Sequence, residues 1–425
     1  MRPRRTPGDY LPILLERTTD KPKETMKNIL TVSGAQILDG TKPVRLKGIN
    51  FGGWLMMEGY FMCAPNRAVR LMKQDFARRL GQQALEELEQ SFQRRFIQKR
   101  DFETAAAMGC NCLRLPFHCG LIETAPYTYD LDGVRRLDQS IRWAKACGMR
   151  VILDLHAAPG AQNHDWHSDS LGKAGLWTSR ANQKRTIALW QFLADRYKDE
   201  PAVAGYDLLN EAVTGDVKVL NAFYARLIKE IRAADPNHIL FVEGNAWATD
   251  IQCLDRFQDD NWAYSIHFYH PIDFTFQFVP QLRYPLRSGR QVFGKGVLRR
   301  MIQKYKTAAG GRPVLVGEFG VNARNGLAGE DDWLRDILEC FDEAGFHWTY
   351  WTYKALKNHM FPDGIYSYYP NDPWVSRHGP RYGWETWADL WPTLKSKIVR
   401  SWETDRFQAN VPVLKVLKKY LRRRG

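Results

Sequence analysis

The sequence predicts an α/β fold in which eight strand–helix units close into a (β/α)8 barrel. Two observations lead to this prediction: eight short apolar runs recur along the chain, and amphipathic stretches with helical spacing lie between them. Strands that are buried on both faces belong to parallel sheets, and eight units favour closure into a TIM barrel over an open doubly wound sheet. A third observation agrees, because no glycine-rich phosphate loop follows the first run, as a dinucleotide-binding fold requires.

The strand candidates are apolar runs of strand length that alternate with the helical segments. They cover residues 44–51, 111–117, 150–156, 204–211, 239–244, 263–269, 313–319 and 348–354. Four of the intervening segments place apolar residues at clear helical intervals. These predicted helices cover residues 132–148, 179–197, 219–236 and 331–345.

We expect the chain to divide into a basic N-terminal extension, residues 1–28, and a single (β/α)8 domain, residues 29–425. Residues 29–48 predict a hairpin of two short strands around Asp39-Gly40, which caps the closed end of the barrel. The long connections 270–295 and 355–410 follow the sixth and eighth strands, so we expect both on the carboxyl-terminal rim. Length alone also allows two or three domains of ordinary size.

The composition is that of a globular protein with a basic excess. Lys and Arg number 61 against 47 Asp and Glu, which gives a formal charge of +14. Such a field suits nucleic acid or an anionic membrane, but much of the excess lies in MRPRR and KVLKKYLRRRG at the two ends. We therefore expect solvated termini and no nucleic-acid partner, and a weak contact of the termini with an anionic surface stays open.

The sequence shows no segment that anchors it in a membrane. It has no apolar run of 18 residues, and its basic N-terminus lacks the apolar core of a signal peptide. We therefore expect a cytoplasmic protein, unless a signal has been removed. The seven cysteines lie mostly within apolar patterns and are predicted to be reduced core residues.

Polar residues end strand after strand of the predicted barrel. The carboxyl ends of parallel barrel strands meet at one rim, so we expect these side chains to converge there. Any one of them alone is explained by a strand that reaches solvent, but a core rejects charge unless it is paired, so the repeated pattern indicates a site. The residues are Asn50, Arg114, His156, Asn210, Glu211, His267, Tyr269, Glu318 and Trp351.

Two of these residues are glutamates that follow apolar runs, Glu211 in AGYDLLNEAV and Glu318 in PVLVGEFGV. A carboxylate pair with Arg, His, Asn, Tyr and Trp around it is what glycosidic cleavage requires, one acid protonated and the other ionised. We expect Arg114 and Tyr269 to keep Glu318 ionised and oriented. We expect partial burial and the charge of Glu318 to keep Glu211 neutral. Asn210 is then placed to bond the sugar 2-hydroxyl, and Trp351 to form the floor of the subsite.

No cofactor or metal is predicted. The best zinc candidates are His156, His164 and His167, but they lie in HAAPGAQNHDWH, a Gly/Pro loop without the HExxH frame of a helical zinc site. A Gly-x-Ser-x-Gly nucleophile motif is also missing.

These motifs together resemble glycoside hydrolase family five, a retaining family of (β/α)8 enzymes. LNE (209–211) and GEFG (317–320) match its acid/base and nucleophile motifs, and the resemblance covers roughly residues 29–400. CLRLPF, LDLHAAPGAQN, HFYHPIDFTFQ and YWTYK match further family signatures. The resemblance implies that Glu211 is the acid/base and Glu318 the nucleophile. It implies that the sugar is bound by Arg114, His156, Asn210, His267, Tyr269 and Trp351, and Asn50 is placed with them.

The substrate is less well defined by the sequence. GINFGGWLMMEGYF (48–61) is similar to the GVNLGGWL opening of exo-β-1,3-glucanases in this family, in which a glutamate at the position of Glu58 holds hydroxyls of the terminal glucose. The resemblance implies an exo-type enzyme on a partner that is a β-linked glucan, an oligosaccharide or a glucoside. A glycosylceramidase-like β-glucosidase, an endo-β-1,4-glucanase or mannanase, and a non-catalytic glucan-binding barrel stay open, as does the oligomeric state.

Overall fold

A closed barrel of eight parallel strands forms the centre of the protein. The computed structural model describes residues 26–62, 64–324, 326–356, 360–368 and 384–423. Each barrel strand pairs with the next along the chain and the last pairs with the first, which confirms the predicted fold class. The strands, labelled in chain order, are β1 Lys47–Asn50, β2 Cys112–His118, β3 Arg150–Ala157, β4 Val203–Asp207, β5 Ile239–Glu243, β6 Trp262–His267, β7 Val314–Glu318 and β8 His347–Tyr350.

Helices surround the barrel and fill the connections between its strands. They are α1 Val69–Leu80, α2 Gln82–Arg95, α3 Lys99–Met108, α4 Leu131–Ala146, α5 Gly175–Thr178, α6 Arg180–Tyr197, α7 Val217–Ala234, α8 Asn245–Ala248, α9 Ile272–Thr275, α10 Lys295–Ala308, α11 Glu330–Ala344, α12 Trp384–Ser401 and α13 Val411–Leu421. Short 3-10 turns occupy Gly59–Met62, Cys119–Leu121, Trp166–Ser168 and Thr404–Arg406. Helices α4, α6, α7 and α11 confirm the four predicted helical segments to within a few residues.

Helix α4 shows why these segments are helical. The side chain of Asp130 accepts a hydrogen bond from the backbone N–H of Asp132 and so satisfies an amide that the first turn leaves free. Its apolar residues recur at helical intervals and are buried. Burial of such an apolar stripe stabilises a helix more than intrinsic propensity does. The spacing of the apolar residues was therefore sufficient to predict α4.

The cap of the barrel is a three-stranded sheet, where the sequence predicted a two-stranded hairpin. Its strands are Leu30–Ser33, Gln36–Asp39 and Lys42–Val44. The difference arises from an additional tight turn at Gly34, which takes a positive φ of 56° that glycine adopts at little cost. Leu30 and Ile37 pack against apolar residues near the amino ends of the barrel strands, and Asp39 pairs with Arg150 at 2.7 Å. The cap therefore closes the end opposite to the rim.

The two long connections lie on the carboxyl-terminal side of the barrel. The first contains α9 and a hairpin of Leu286–Ser288 with Gln291–Phe293. The second contributes a small sheet of Lys354–Leu356, Tyr366–Tyr368 and Gln408–Ala409, and α12 lies between the second and third of these strands along the chain. A further hairpin joins Glu123–Ala125 and Thr128–Tyr129 after β2. Most of the predicted N-terminal extension, and residues 357–359 and 369–383 of the second connection, lie outside the described residues.

The last helix, α13, packs its apolar face onto the domain. Val413, Leu417 and Tyr420 are buried, and the hydroxyl of Tyr420 donates to Glu339 at 2.7 Å. Most of the apolar face of α13 is therefore engaged within the protein, and its exposed Lys side chains remain for an anionic surface. Within the part of the chain that the structure describes, no helix has both the length and the apolarity to cross a membrane.

Candidate active site

The carboxyl ends of the barrel strands surround a cavity of about 670 Å³. Segments that follow β1, β3, β4, β5, β6 and β8 contribute to its walls, together with the last residue of β7. Seven of the ten predicted site residues line it: Glu58, His156, Glu211, His267, Tyr269, Glu318 and Trp351. The other three, Asn50, Arg114 and Asn210, are fully buried beneath it.

A single guanidinium holds the buried base of the site together. Arg114 in β2 forms ion pairs with four carboxylates at 2.7 to 3.2 Å: Asp154, Asp207, Glu243 and Glu318. Its Nη2 also donates to Oδ1 of Asn210 at 2.8 Å. The planar guanidinium group presents five N–H donors in a fixed fork, so it can bind all four carboxylates and the Asn210 oxygen at once.

Asn50 and Arg114 are placed differently from the sugar-binding role that the sequence suggested for them. The amide nitrogen of Asn50 donates to the backbone carbonyls of Gly317 and Thr349, and its oxygen accepts from Arg114. Both side chains have no exposed surface and their donors are engaged within the protein. They therefore position the carboxylates and do not line the cavity. Asn210 differs from them, because its Nδ2 is buried without a hydrogen-bond partner.

Glu318 receives a donor on each carboxylate oxygen. Nη1 of Arg114 donates to Oε1 at 2.7 Å, and the hydroxyl of Tyr269 donates to Oε2 at 2.8 Å. Hydrogen bonds from a cation and a hydroxyl hold this carboxyl group in place and fix the direction of its lone pairs. The carboxylate lies at the end of β7 with its side chain facing the cavity.

Glu211 lies opposite, on a strained turn just after β4. Its φ of 51° is in the left-handed region, which is unfavourable for a residue with a Cβ and is typical of functional positions. Its backbone N–H donates to Glu243 at 2.6 Å, which helps to hold this conformation. One carboxylate oxygen of Glu211, one ring nitrogen of His267 and one carboxylate oxygen of Glu318 lie within 4.8 Å of one another.

The carboxyl of Glu211 is held between two imidazoles. Nδ1 of His267 lies 2.6 Å from Oε1, and Nε2 of His167 lies 2.9 Å from Oε2. Burial by itself favours the neutral acid, but the charge and hydrogen bond of His167, with those of His267, outweigh burial and lower the pKa of Glu211. This differs from the expectation that burial and Glu318 keep Glu211 neutral, because no local sequence pattern indicates that two histidines enclose it.

Glu58 is buried at the edge of the cavity with one oxygen unpartnered. Oε1 of Glu58 has no hydrogen bond and lies 4.0 Å from Nε2 of His156. Burial raises the pKa of Glu58 to about 7. Nδ1 of His156 is paired with Asp154 at 2.7 Å, which fixes the orientation of the ring.

Trp351 packs face to face with His156. The two rings are parallel within 6° at a centroid distance of 5.5 Å, and the indole N–H donates to the hydroxyl of Tyr60 at 2.6 Å. The Trp351–Thr352 peptide is cis. The indole is 4% exposed and lines the cavity, so it presents a fixed apolar surface to a ligand.

The sequence reasoning missed several residues of the site. Asp154 and Asp207 are charges inside apolar strands, and Glu243 ends β5, the one strand for which no polar end was assigned. The rule that found the other strand ends applies to Glu243 as well, and the alternation of a strand puts Asp154 on the same face as His156. Tyr60 and the role of His167 had no comparable signal, because both lie in loops.

The histidines considered as zinc ligands do not converge. The rings of His156 and His167 are 6.3 Å apart between centroids and nearly perpendicular, and His164 is half exposed against Trp247. In the part of the chain that the structure describes, the only group of three side chains close enough to share a metal ion is Glu211, His267 and Glu318. Each of these has hydrogen-bond partners within the protein.

The outer part of the cavity is aromatic. Trp247 lies on a turn of three residues with positive φ, from 53° to 59°, and its indole N–H donates to Asp165 at 2.7 Å. On another side Phe276, Phe278 and Phe361 contact one another, with centroids 5.4 to 5.9 Å apart. Aromatic faces of this kind bind the apolar faces of sugars or other apolar groups.

Comparisons with known proteins agree on one family. The model of the cellulase family, glycosyl hydrolase family 5, matches residues 78–357. A beta-xylosidase of Phanerodontia chrysosporium is 33% identical over 345 residues, which cover 77% of this chain and 71% of that protein. A probable glucan 1,3-beta-glucosidase A of Aspergillus fumigatus is 30% identical over 231 residues, 52% of this chain and 54% of that protein.

A solved structure supports the fold. Endoglucanase Cel5A of Thermotoga maritima superposes with a TM-score of 0.60 at 19% identity, covering 88% of this chain and 96% of that one. The range matched by the family model, residues 78–357, contains β2 to β8 and both glutamates. The chain belongs to glycosyl hydrolase family 5, a family of retaining glycoside hydrolases.

Proposed function

We propose that this protein removes the terminal sugar from a β-linked glucan or a β-glucoside by double displacement, with Glu318 as nucleophile and Glu211 as acid/base. The observation that carries the proposal is the distance of at most 4.8 Å between their nearer carboxylate oxygens. Carboxyl groups about 5 Å apart leave room for a sugar bonded to one of them, whereas inverting enzymes hold theirs at roughly 6.5–9.5 Å to admit a water.

In the first half-reaction Oε of Glu318 attacks the anomeric carbon and the glycosidic oxygen leaves with a proton from Glu211. Arg114 and Tyr269 hold the attacking carboxylate in a fixed orientation while it forms the new bond. In the second half-reaction Glu211 takes a proton from water, and the water oxygen displaces Glu318 from the sugar.

Asn210 is suited to the hydroxyl next to the anomeric carbon. Its Oδ1 is bonded to Arg114, which fixes the amide plane, and its buried Nδ2 has no partner in the protein. A buried donor without an acceptor is costly, so an acceptor on the substrate is expected to supply the missing bond. A bond to the 2-hydroxyl strengthens as the anomeric carbon gains positive charge.

The proposal of a pocket for a terminal sugar rests on Glu58, His156 and Trp351. The unpartnered oxygen of Glu58 is an acceptor for sugar hydroxyls, and the fixed indole of Trp351 offers a face to the ring. Seven of the eight strands, or the segments after them, contribute residues to the walls of the cavity, which favours a pocket over an open groove. The similarity to a protein named as a glucan 1,3-beta-glucosidase supports β-1,3-linked glucose, and the similarity to one named as a beta-xylosidase makes xylose the sugar to compare.

The roles of the two glutamates are tested by azide rescue of alanine variants on an aryl β-glucoside. In Glu318→Ala, azide should attack the anomeric carbon directly and give the α-glycosyl azide. In Glu211→Ala, azide should attack the covalent intermediate from the side left open by the lost carboxylate and give the β-glycosyl azide. Glu318→Gln is the matched control, because it removes the charge without making room for azide. The opposite stereochemistry, or near-normal activity in Glu318→Ala, would reject the assignment.

The substrate is tested with β-1,3-, β-1,4- and β-1,6-linked glucans, mannan, and aryl β-glucoside against aryl β-xyloside, with products separated by size. Glucose as the first and sole product from β-1,3-oligosaccharides supports the pocket. Early release of longer oligosaccharides would instead indicate endo action, and a preference for the xyloside would replace glucose as the terminal sugar.

A β-glucoside with an alkyl leaving group is a second candidate, because the rim beside the cavity is apolar. Phe278 and Ile272 are 45% and 44% exposed at the rim, and exposed apolar patches of this kind mark binding surfaces. If they contact the leaving group, octyl β-glucoside should be cleaved with a higher kcat/KM than methyl β-glucoside. Phe278→Ala should reduce that preference. Val292→Ala, at a similarly exposed apolar residue outside the cavity, should leave it unchanged.

A further inference from the structure

Each carboxylate oxygen of Glu211 has an imidazole of its own. His267 comes from β6 and contacts Oε1, whereas His167 comes from the 3-10 turn Trp166–Ser168 and contacts Oε2. Such an arrangement needs an explanation, because a general acid must be protonated when the substrate arrives, and two cationic partners oppose that.

The two histidines differ in their surroundings. His267 is 1% exposed and lies between carboxylates, with Nδ1 at Glu211 and Nε2 3.2 Å from Glu243. Burial opposes its charge, but Glu318, Glu243 and Glu211 outweigh burial and raise its pKa well above the usual range. The carboxylates around His267 therefore favour its protonated form.

His167 has one carboxylate within ion-pair distance, Glu211, and its side chain lines the cavity with 12% of its surface exposed. Its Nε2 also lies 2.9 Å from Nδ2 of Asn163. The same Nε2 can thus donate to Glu211 when it carries a proton, and accept from Asn163 when it does not. Both protonation states of His167 have a hydrogen-bond partner ready.

We propose that His167 is a positioning residue that supplies the proton of the acid/base, so that His167 and Glu211 act as a pair holding one mobile proton between Nε2 and Oε2. This inference rests on the proposed function, in which Glu211 is the acid/base. In the free enzyme the proton lies on His167 and Glu211 is a carboxylate.

The proton passes through the pair without any other reactant. Before bond cleavage it moves from Nε2 of His167 to Glu211, which leaves a neutral imidazole and a carboxylic acid. Glu211 then gives a proton to the glycosidic oxygen while Glu318 bonds to the anomeric carbon. In the second half-reaction Glu211 takes a proton from the attacking water, and that proton returns to His167, which restores the starting state.

The loop that carries His167 is fixed by polar bonds, as a positioning role requires. Nδ2 of Asn163 donates to the backbone carbonyl of Glu211 at 2.9 Å, and Oδ1 of Asn163 accepts from the N–H of Asp165. The hydroxyl of Ser168 donates to the carbonyl of Asn163 at 3.1 Å. The turn and the acid/base are therefore joined directly.

The charged groups around the pair are few and come from identified elements. His167 faces Glu211, Glu58 from the segment after β1, and Asp165 of its own loop, and burial opposes its charge. Glu211 faces His167, His267 from β6, Glu243 from β5 and Glu318 from β7. The negative charge of Glu211 and Glu58 outweighs burial and raises the pKa of His167 to about 9.

The test is the pH dependence of kcat/KM in His167→Gln. In the unchanged enzyme the loss of activity at high pH follows the loss of the pair's proton. In the variant the proton must reside on Glu211 alone, so the high-pH limb should move to lower pH by at least about one unit. A glycoside with a poor leaving group should lose activity at least about tenfold more than a dinitrophenyl glycoside, which leaves without acid assistance.

His164→Gln is the matched control, because this half-exposed histidine lies three residues earlier in the same loop and does not line the cavity. It should leave both pH limbs unchanged. An equal loss at every pH and for both leaving groups in His167→Gln would overturn the proposal and leave a purely structural role. The azide products of Glu211→Ala report separately whether Glu211 is the acid/base, so the two failures are distinguishable.

Discussion

Nη1 of Arg114 lies 2.7 Å from Oε1 of Glu318, and the same guanidinium forms ion pairs with three further buried carboxylates. One cation thus faces four acids in a region closed to water. Burial, followed by the charge of Glu243, raises the pKa of Asp207 well above its usual range. A raised pKa favours the neutral acid, which partly relieves the excess of negative charge around Arg114. Arg114 therefore couples the stability of the barrel to the position of the proposed nucleophile.

Replacing Arg114 with Gln is expected to lower the free energy of unfolding by about 3–5 kcal/mol, because buried carboxylates lose their counter-charge. Arg114→Lys keeps the charge but has fewer donors in a different geometry, so it should lose less stability. With Glu318 less well oriented, kcat/KM of Arg114→Lys should fall about 100-fold. Urea unfolding and aryl β-glucoside turnover measure the two effects.

Arg150→Lys is the control for Arg114→Lys. Arg150 is a buried arginine at the start of β3, paired with Asp39 at the capped end of the barrel. Its replacement should lower stability and leave kcat/KM of the remaining folded enzyme unchanged. If Arg114→Lys keeps full activity, the proposed hold of Arg114 on Glu318 is incorrect.

Glu58 is expected to make the stability of the protein fall as the pH rises. Burial raises its pKa from 4.5 to about 7 in the folded state, so between these values the folded protein holds a proton that the unfolded chain has released. This contribution is fully present below the unfolded pKa and is lost as the pH rises through the folded one. Glu58→Gln should remove the decline, which corresponds to roughly 3 kcal/mol between about pH 5 and about pH 8.

The measurement is urea unfolding of both proteins across that range. Glu103→Gln, at an exposed glutamate on α3, should show the same pH dependence as the unchanged protein. Parallel curves for Glu58→Gln and the unchanged protein would mean that Glu58 titrates as an ordinary exposed acid.

Gly52 is expected to be essential for the position of Trp351. A Cβ at Gly52 would lie 2.7 Å from Cη2 of the indole and 3.0 Å from Oγ1 of Thr352. The indole cannot easily move, since it packs on His156 and donates to Tyr60. Gly52→Ala should therefore displace the proposed floor of the sugar subsite and lower kcat/KM by about 10- to 100-fold.

Gly215→Ala provides the comparison, because a Cβ at this exposed glycine meets nothing within 4 Å and its φ is not in the left-handed region. Its kcat/KM should stay normal. Unchanged kinetics in Gly52→Ala would show that Trp351 has more room than its contacts indicate.

Two segments outside the barrel strands contribute site residues that the positions of the strands did not predict. His167 and Tyr60 contact the site from segments whose position depends on side chains elsewhere. The indole N–H of Trp351 donates to the hydroxyl of Tyr60, and Asn163 donates to the backbone carbonyl of Glu211. No periodicity in the local sequence encodes such contacts. Glu243 by contrast ends a regular strand, and the strand-end rule applied to β5 would have included it.

The sequence by itself determined the barrel, the order of its strands and the two glutamates at the carboxyl ends of the fourth and seventh strand segments, because these follow from hydrophobic periodicity and from a fixed rule about where parallel strands end. Only the tertiary structure decided that Arg114 and Asn50 lie beneath the cavity, that Glu211 is enclosed by His167 and His267, and that Glu58 is buried with a free oxygen. The reason is physical: protonation states depend on distances of a few ångströms between groups far apart in the chain, and those distances exist only after the barrel has closed.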